Sequence, residues 1–162
     1  MTELVLPTAD DTHALGEAIG RVLRAGDLVI LDGALGAGKT VLTKGIAVGM
    51  GVTDLVTSPT FVIARVHQSA ARDGVTLVHV DAYRLGGALE LDDLDLDTDL
   101  EHAAVVIEWG GGRAEQLADD HLLVRLTRHP DDTRTAVLSG TGPRWSTLSA
   151  ELSDASFVSR NR

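Results

Sequence analysis

The run "DLVILDG" (Asp27 to Gly33) is apolar without interruption between two aspartates, the pattern of a short strand buried on both faces of a parallel sheet. A glycine-rich octet follows, and then Leu42, Ile46 and Met50 recur every fourth residue, one buried helical stripe closed by Gly51. Upstream, "LVLP" reads as a short edge strand. The segment "TADDTHALGEAIGRVLRAG" reads as a helix: Leu15, Ile19, Val22 and Leu23 share one face, Thr8 and Asp11 offer a capping box, and Gly26 is placed to end it. Downstream, "FVIARVH", "VTLVHVD" and "AAVVIEW" are strand patterns separated by the loop "TSPTF", the turn "SAARDG" and the acidic, partly helical stretch "ALELDDLDLDTDL". "HLLVRLTR" and "RTAVLSG" form an antiparallel pair around the turn "HPDD", and "PRWSTLSAEL" is a final helix with Trp145 as its core anchor. Strands that alternate with helices early and a hairpin late predict a three-layer α/β fold, a mixed central sheet flanked by helices.

Composition narrows the picture. A chain of 162 residues predicts a single domain over 1–155, with 156–162 as a short tail. The absence of cysteine removes disulfides, cysteine-based zinc sites and thiol nucleophiles together. "MTELVLPTADD" has neither a basic region nor a long apolar run, and no segment reaches the roughly 18 apolar residues of a membrane span. The expectation is a soluble cytoplasmic protein with no membrane partner. The formal charge of −10, with Lys39 and Lys44 as the only lysines, speaks against an unaided grip on nucleic acid, where most affinity comes from neutralising phosphates. A protein partner with a basic face fits better.

One of those two lysines lies inside "GALGAGKT" (Gly33 to Thr40), which fits G-x-x-x-x-G-K-[ST] through Gly33, Gly38, Lys39 and Thr40. The glycines let successive N–H groups converge on phosphate oxygens, Lys39 can reach the β- and γ-phosphates, and the Thr40 hydroxyl can ligate Mg²⁺. A helix beginning at Lys39 points its positive end at the same anion. The strand before the octet and the helix after it supply the context of a P-loop NTPase-like fold.

Such a site needs an acid at the end of a neighbouring buried strand, to hold magnesium or orient water. Asp81 ends "VTLVHVD" and Glu108 follows "AAVVI"; beyond the carboxyl ends of parallel strands, both reach one edge of the sheet. Thr60, in the loop stiffened by Pro59, is placed to sense a γ-phosphate as switch loops do, or to be an ordinary loop residue. No N-K-x-D element occurs after Lys44, so guanine recognition has no evident basis and ATP is the expected nucleotide.

"GALGAGKT", "TSPTF", "HVDAYRL" and "IEWG", in this order and spacing, resemble the TsaE family (formerly YjeE), over roughly residues 5 to 140. These are bacterial P-loop ATPases required for the threonylcarbamoyl modification of adenosine 37 in tRNA. The resemblance implies a Mg²⁺-dependent ATPase, slow alone, that acts with a TsaD-type transferase and its TsaB-type companion and resets that complex between catalytic cycles. It makes Asp81 the Walker B-like catalytic acid, with Lys39, and gives Mg²⁺ to Thr40 and Glu108. It assigns ATP to Gly33, Leu35, Gly36, Ala37, Gly38, Lys39 and Thr40, with Thr12 and Arg134 near the adenosine end. Trp109 would lie beside the nucleotide and Thr60 in the switch-like loop. One departure is the glycine triplet 110–112, where many relatives carry a proline or a charge; it leaves the role of Trp109 open. No arginine finger is evident within the chain; Arg65 and Arg84 are the alternatives.

Other features carry less. A calcium loop with Asp95, Asp97 and Asp99 as its first ligands would put Leu100 where glycine is needed and Val106 where glutamate is needed. The acidic stretch reads first as a solvated face and second as a docking surface. The six histidines show no zinc spacing, and His79 reads as a packed or surface strand residue. A small-molecule kinase is the alternative function, although the region of its lid is acidic or glycine-rich instead of arginine-rich. A nucleotide-binding module without catalysis is a third.

Overall fold

A computed structural model describes residues 1–53, 64–70, 74–81, 101–108 and 118–154. In chain order the elements are β1 (Thr2–Leu6), α1 (Ala9–Val22), β2 (Leu28–Asp32), α2 (Lys39–Gly49), β3 (Ala64–His67), β4 (Thr76–Asp81), β5 (Ala103–Glu108), β6 (His121–Arg128), β7 (Arg134–Thr141) and α3 (Pro143–Asp154). The strands form one seven-stranded sheet in the order β1-β7-β6-β2-β5-β4-β3. The central strands β6, β2, β5 and β4 run parallel, and the flanking β3, β7 and β1 run antiparallel to their neighbours. The fold is α/β with a mixed sheet, and β1 is an edge strand as its short pattern predicts.

Strand parity sorts the apolar side chains onto two faces. Val29, Leu31, Val106 and Val124 meet Leu15 and Ile19 of α1, Leu42 and Ile46 of α2, and Trp145 of α3. Leu28, Ile30, Val78, Val80, Val105 and Ile107 make a second buried cluster on the opposite face. The three described helices all serve the first face.

α1 opens with the predicted capping box: the Asp11 N–H donates to Thr8 Oγ1, and the Thr8 N–H donates to the Asp11 carboxylate. Its C-terminus differs from the expectation. The helix stops at Val22, and Gly26 instead forms the turn into β2 with φ of +95°. The reason is tertiary. Arg144 from α3 donates through Nη2 to the Val22 carbonyl at 2.5 Å and grips both oxygens of Asp27 at 2.7 and 3.0 Å. An arginine distant in sequence satisfies the helix end that a nearby glycine could have served.

The two helices beneath the site touch backbone to backbone. A Cβ on Gly16 would lie 2.2 Å from the Leu42 carbonyl oxygen, and one on Gly45 would lie 2.1 Å from that of His13. Gly20 and Gly49 repeat the arrangement one turn on, 2.2 Å from the Ile46 and Glu17 oxygens. This glycine seam brings the start of α1 beside the start of α2. Thr12 is thereby placed against the P-loop.

Candidate functional site

The parallel strands β2, β5 and β4 end on one edge, where Leu31 stands opposite Glu108 and Glu108 opposite Asp81. From the end of β2 springs the P-loop. Its first glycine is pressed onto β6: a Cβ on Gly33 would sit 2.6 Å from the Leu126 carbonyl oxygen. Gly38, with φ of +111°, is the N-cap of α2 and brings no capping side chain. The first turn of α2 contains no acid, and its first residue is Lys39. A cation at the positive end of a helix dipole, over uncapped N–H groups, is unfavourable until an anion arrives.

Lys39 is 5% exposed, and its Nζ donates back to the Gly33 and Ala34 carbonyls at 2.6 and 3.0 Å. Burial holds this ammonium below its ordinary pKa, while Glu108, then Asp32 and Asp81, oppose that shift through their charge. A cavity of about 250 Å³ lies over the loop, lined by Leu35, Gly36, Gly38, Lys39, Thr40, Val41, Glu108 and Arg134. A hollow of about 600 Å³ shares Leu35 and extends along the β6–β7 turn past Arg128, His129, Pro130 and Asp132. The smaller cavity gathers the chemistry, because Lys39, Thr40 and Glu108 belong to it alone.

The structure thus brings together Leu35, Gly36, Gly38, Lys39, Thr40, Glu108 and Arg134. Gly33 and the buried Ala37 shape the loop beneath them. Thr12 is 1% exposed, and its Cγ2 lies 3.6 Å from where a Gly38 Cβ would stand; Arg134 Nε is 3.8 Å from the same point. The Thr12 hydroxyl is buried without a hydrogen-bond partner among the described residues. Asp81 is half-buried one strand beyond Glu108 and does not line the cavity, although its charge reaches Lys39. Arg65 is exposed on β3, three strands from β2. Thr60, Trp109, Arg84, the acidic stretch, the glycine triplet 110–112 and the tail 156–162 lie outside the described residues.

Three residues enter that sequence reasoning did not place here. Asp32 ends β2 and accepts from the Gly33 N–H at 3.1 Å. Arg128 borders the loop beside Gly36 and pairs with Asp132. His79, fully buried, has its Nε2 2.5 Å from Glu108 Oε2. Period-two alternation holds a signal for His79, since it shares a strand face with Asp81, but its partner lies across the sheet.

The donor set suits magnesium. That ion is commonly bound through one or two carboxylates with retained waters and substrate phosphates, so one hydroxyl and one carboxylate in a single cavity are sufficient protein ligands. Thr40 and Glu108 line the cavity and would provide them. No cluster of three His, Cys, Asp or Glu residues able to cage a metal occurs among the described residues.

The model of the family described as "Threonylcarbamoyl adenosine biosynthesis protein TsaE" matches residues 6–136. The chain belongs to the TsaE family. A TsaE protein of Streptomyces coelicolor is 54% identical over 143 residues, covering 85% of this chain and 96% of that one. One from Mycobacterium tuberculosis H37Rv is 54% identical over 141 residues, covering 83% and 84%. A TsaE protein of Bacillus subtilis is 38% identical over 146 residues, covering 89% of each. All three carry the name "tRNA threonylcarbamoyladenosine biosynthesis protein TsaE". The crystal structure of Bacillus subtilis YdiB matches with a TM-score of 0.75 and 30% identity, covering 94% of both chains. The chain shares its fold with that solved protein along nearly its whole length.

Proposed function

We propose that this protein is a Mg²⁺-dependent ATPase of tRNA threonylcarbamoyladenosine biosynthesis, which binds and hydrolyses ATP to reset a TsaD-type transferase and its TsaB-type companion. The observation that carries the reading is the start of α2: a glycine N-cap with no capping side chain, a first turn without an acid and a buried lysine converge where an anion would sit. The family's name supplies the pathway.

In this reading the N–H groups of the loop and Lys39 bind the β- and γ-phosphates, Lys39 exchanging its two carbonyl contacts for phosphate oxygens. Thr40 and Glu108 would hold the magnesium, which when bound neutralises phosphate charge. Asp81, at the next strand end, orients the attacking water and takes its proton. Thr12 and Arg134 border the loop at Gly38, and the Thr12 hydroxyl, without a partner among the described residues, offers a hydrogen bond toward the nucleoside. Catalysis is then mostly positioning and electrostatics.

The test is ATP hydrolysis by the purified protein with and without the purified transferase pair. Slow phosphate release alone and a change of several-fold in the presence of the pair are expected. No complex and no change in rate would defeat the tRNA-modification reading while leaving the ATP site standing. Stoichiometric phosphorylation of a metabolite would turn the reading to a kinase.

A further inference from the structure

We propose that His79 is a positioning residue that fixes the carboxylate of Glu108 for its role at the phosphate site. The inference rests on the ATPase reading above. Glu108 is 2% exposed and His79 is fully buried, and their 2.5 Å contact joins Nε2 to Oε2. Parity places both side chains on the sheet face that carries α2: Leu77 and Ala104 belong to that face's core, and His79 and Glu108 follow them at even spacing. The parallel ladder sets His79 opposite Val106, one step diagonal from Glu108, so the backbone fixes the geometry of the pair.

The hydrogen bond has one direction. A carboxylate only accepts, so the Nε2–H of His79 donates. The Nδ1 atom is buried without a hydrogen-bond partner among the described residues. With Oε2 held, Glu108 can present Oε1 to the cavity shared with Lys39 and Thr40. A glutamate has three rotatable bonds, and a carboxylate left to sample them would meet an ion or water only part of the time. Hydrogen bonds behind a ligating side chain typically account for about 10–100-fold in metal affinity or activity.

The experiment titrates His79→Leu, His79→Asn and His79→Gln with a fluorescent ATP analogue, in magnesium and in EDTA, and measures hydrolysis against magnesium concentration. The Leu variant removes the donor, Asn keeps an amide too short to reach Oε2, and Gln keeps one that reaches. Expected for Leu and Asn are an apparent magnesium requirement raised by about 10-fold or more, turnover lowered by about 10–100-fold, and EDTA affinity within about twofold of wild type. His79→Gln should recover most of the loss. Should the Leu variant fail to fold, the Asn–Gln comparison decides alone. Wild-type magnesium requirement in Leu or Asn, or equal losses in magnesium and in EDTA, overturns the positioning role. Absence of magnesium-dependent analogue binding by the wild type would instead fail the ATPase reading itself.

Discussion

Lys39 stands where a helix least favours a cation, and burial already holds its ammonium below the ordinary pKa. Its contacts with Gly33 and Ala34 are carbonyl contacts, weaker than those a phosphate would offer. Lys39→Ala is therefore expected to weaken Mg·ATP binding by about 10–100-fold, the equivalent of one charge-assisted hydrogen bond, by isothermal titration calorimetry. Unchanged affinity would remove the P-loop assignment. Asp81 lies off the cavity wall, so its substitution should separate binding from chemistry. Asp81→Asn should hold nucleotide affinity within about threefold and lower turnover by at least about 100-fold in a phosphate-release assay. Normal hydrolysis would end its catalytic role. Lys39, Thr40, Asp81 and Glu108 are legible in the sequence because each follows a strand or opens a helix at a fixed offset. His79 is legible only as a strand residue. Its partner is 29 positions away, and a local pattern cannot report a diagonal contact across a sheet.

At the scale of elements, the glycine seam between α1 and α2 decides where Thr12 stands against the P-loop. Gly→Ala within a helix gains about 1 kcal/mol of intrinsic propensity, so a merely adjacent pair of helices would tolerate the exchange. Here the added methyl would meet the His13 carbonyl at 2.1 Å, against backbone that cannot rotate away. Overpacking typically costs about 1–3 kcal/mol and occasionally more, and against unyielding backbone it outweighs that gain: Gly45→Ala is expected to be net destabilised in urea unfolding and to weaken ATP binding as Thr12 shifts from Gly38. A variant as stable as wild type would show that the seam does not constrain the helices. The spacing Gly16–Gly20 and Gly45–Gly49 is visible in the sequence. That the two pairs face each other is not, because helix rotation is set by packing. Arg144 makes the same point, since its reach to Val22 and Asp27 moves the end of α1 ahead of the expected glycine.

For the whole molecule, charge is the property that extends beyond contacts. With a formal −10 and two lysines, one of them buried in the site, the free protein should bind tRNA with a Kd weaker than about 100 µM at about 150 mM salt. Fluorescence anisotropy with labelled tRNA checks this, and tight unaided binding would overturn the view that the substrate belongs to a partner. No described helix is long and apolar enough to cross a membrane. The sequence by itself determined the α/β class, the order of most elements, the phosphate loop and the two strand-end acids. Those follow from periodicity and from offsets of a few residues, which local sterics enforce. The tertiary structure decided which strands are neighbours, and hence that Glu108 is nearer β2 than Asp81, that His79 backs Glu108, and that α1 lies backbone to backbone on α2. Each of these depends on sheet order or helix rotation, which the burial of the whole core selects and no local run of residues encodes.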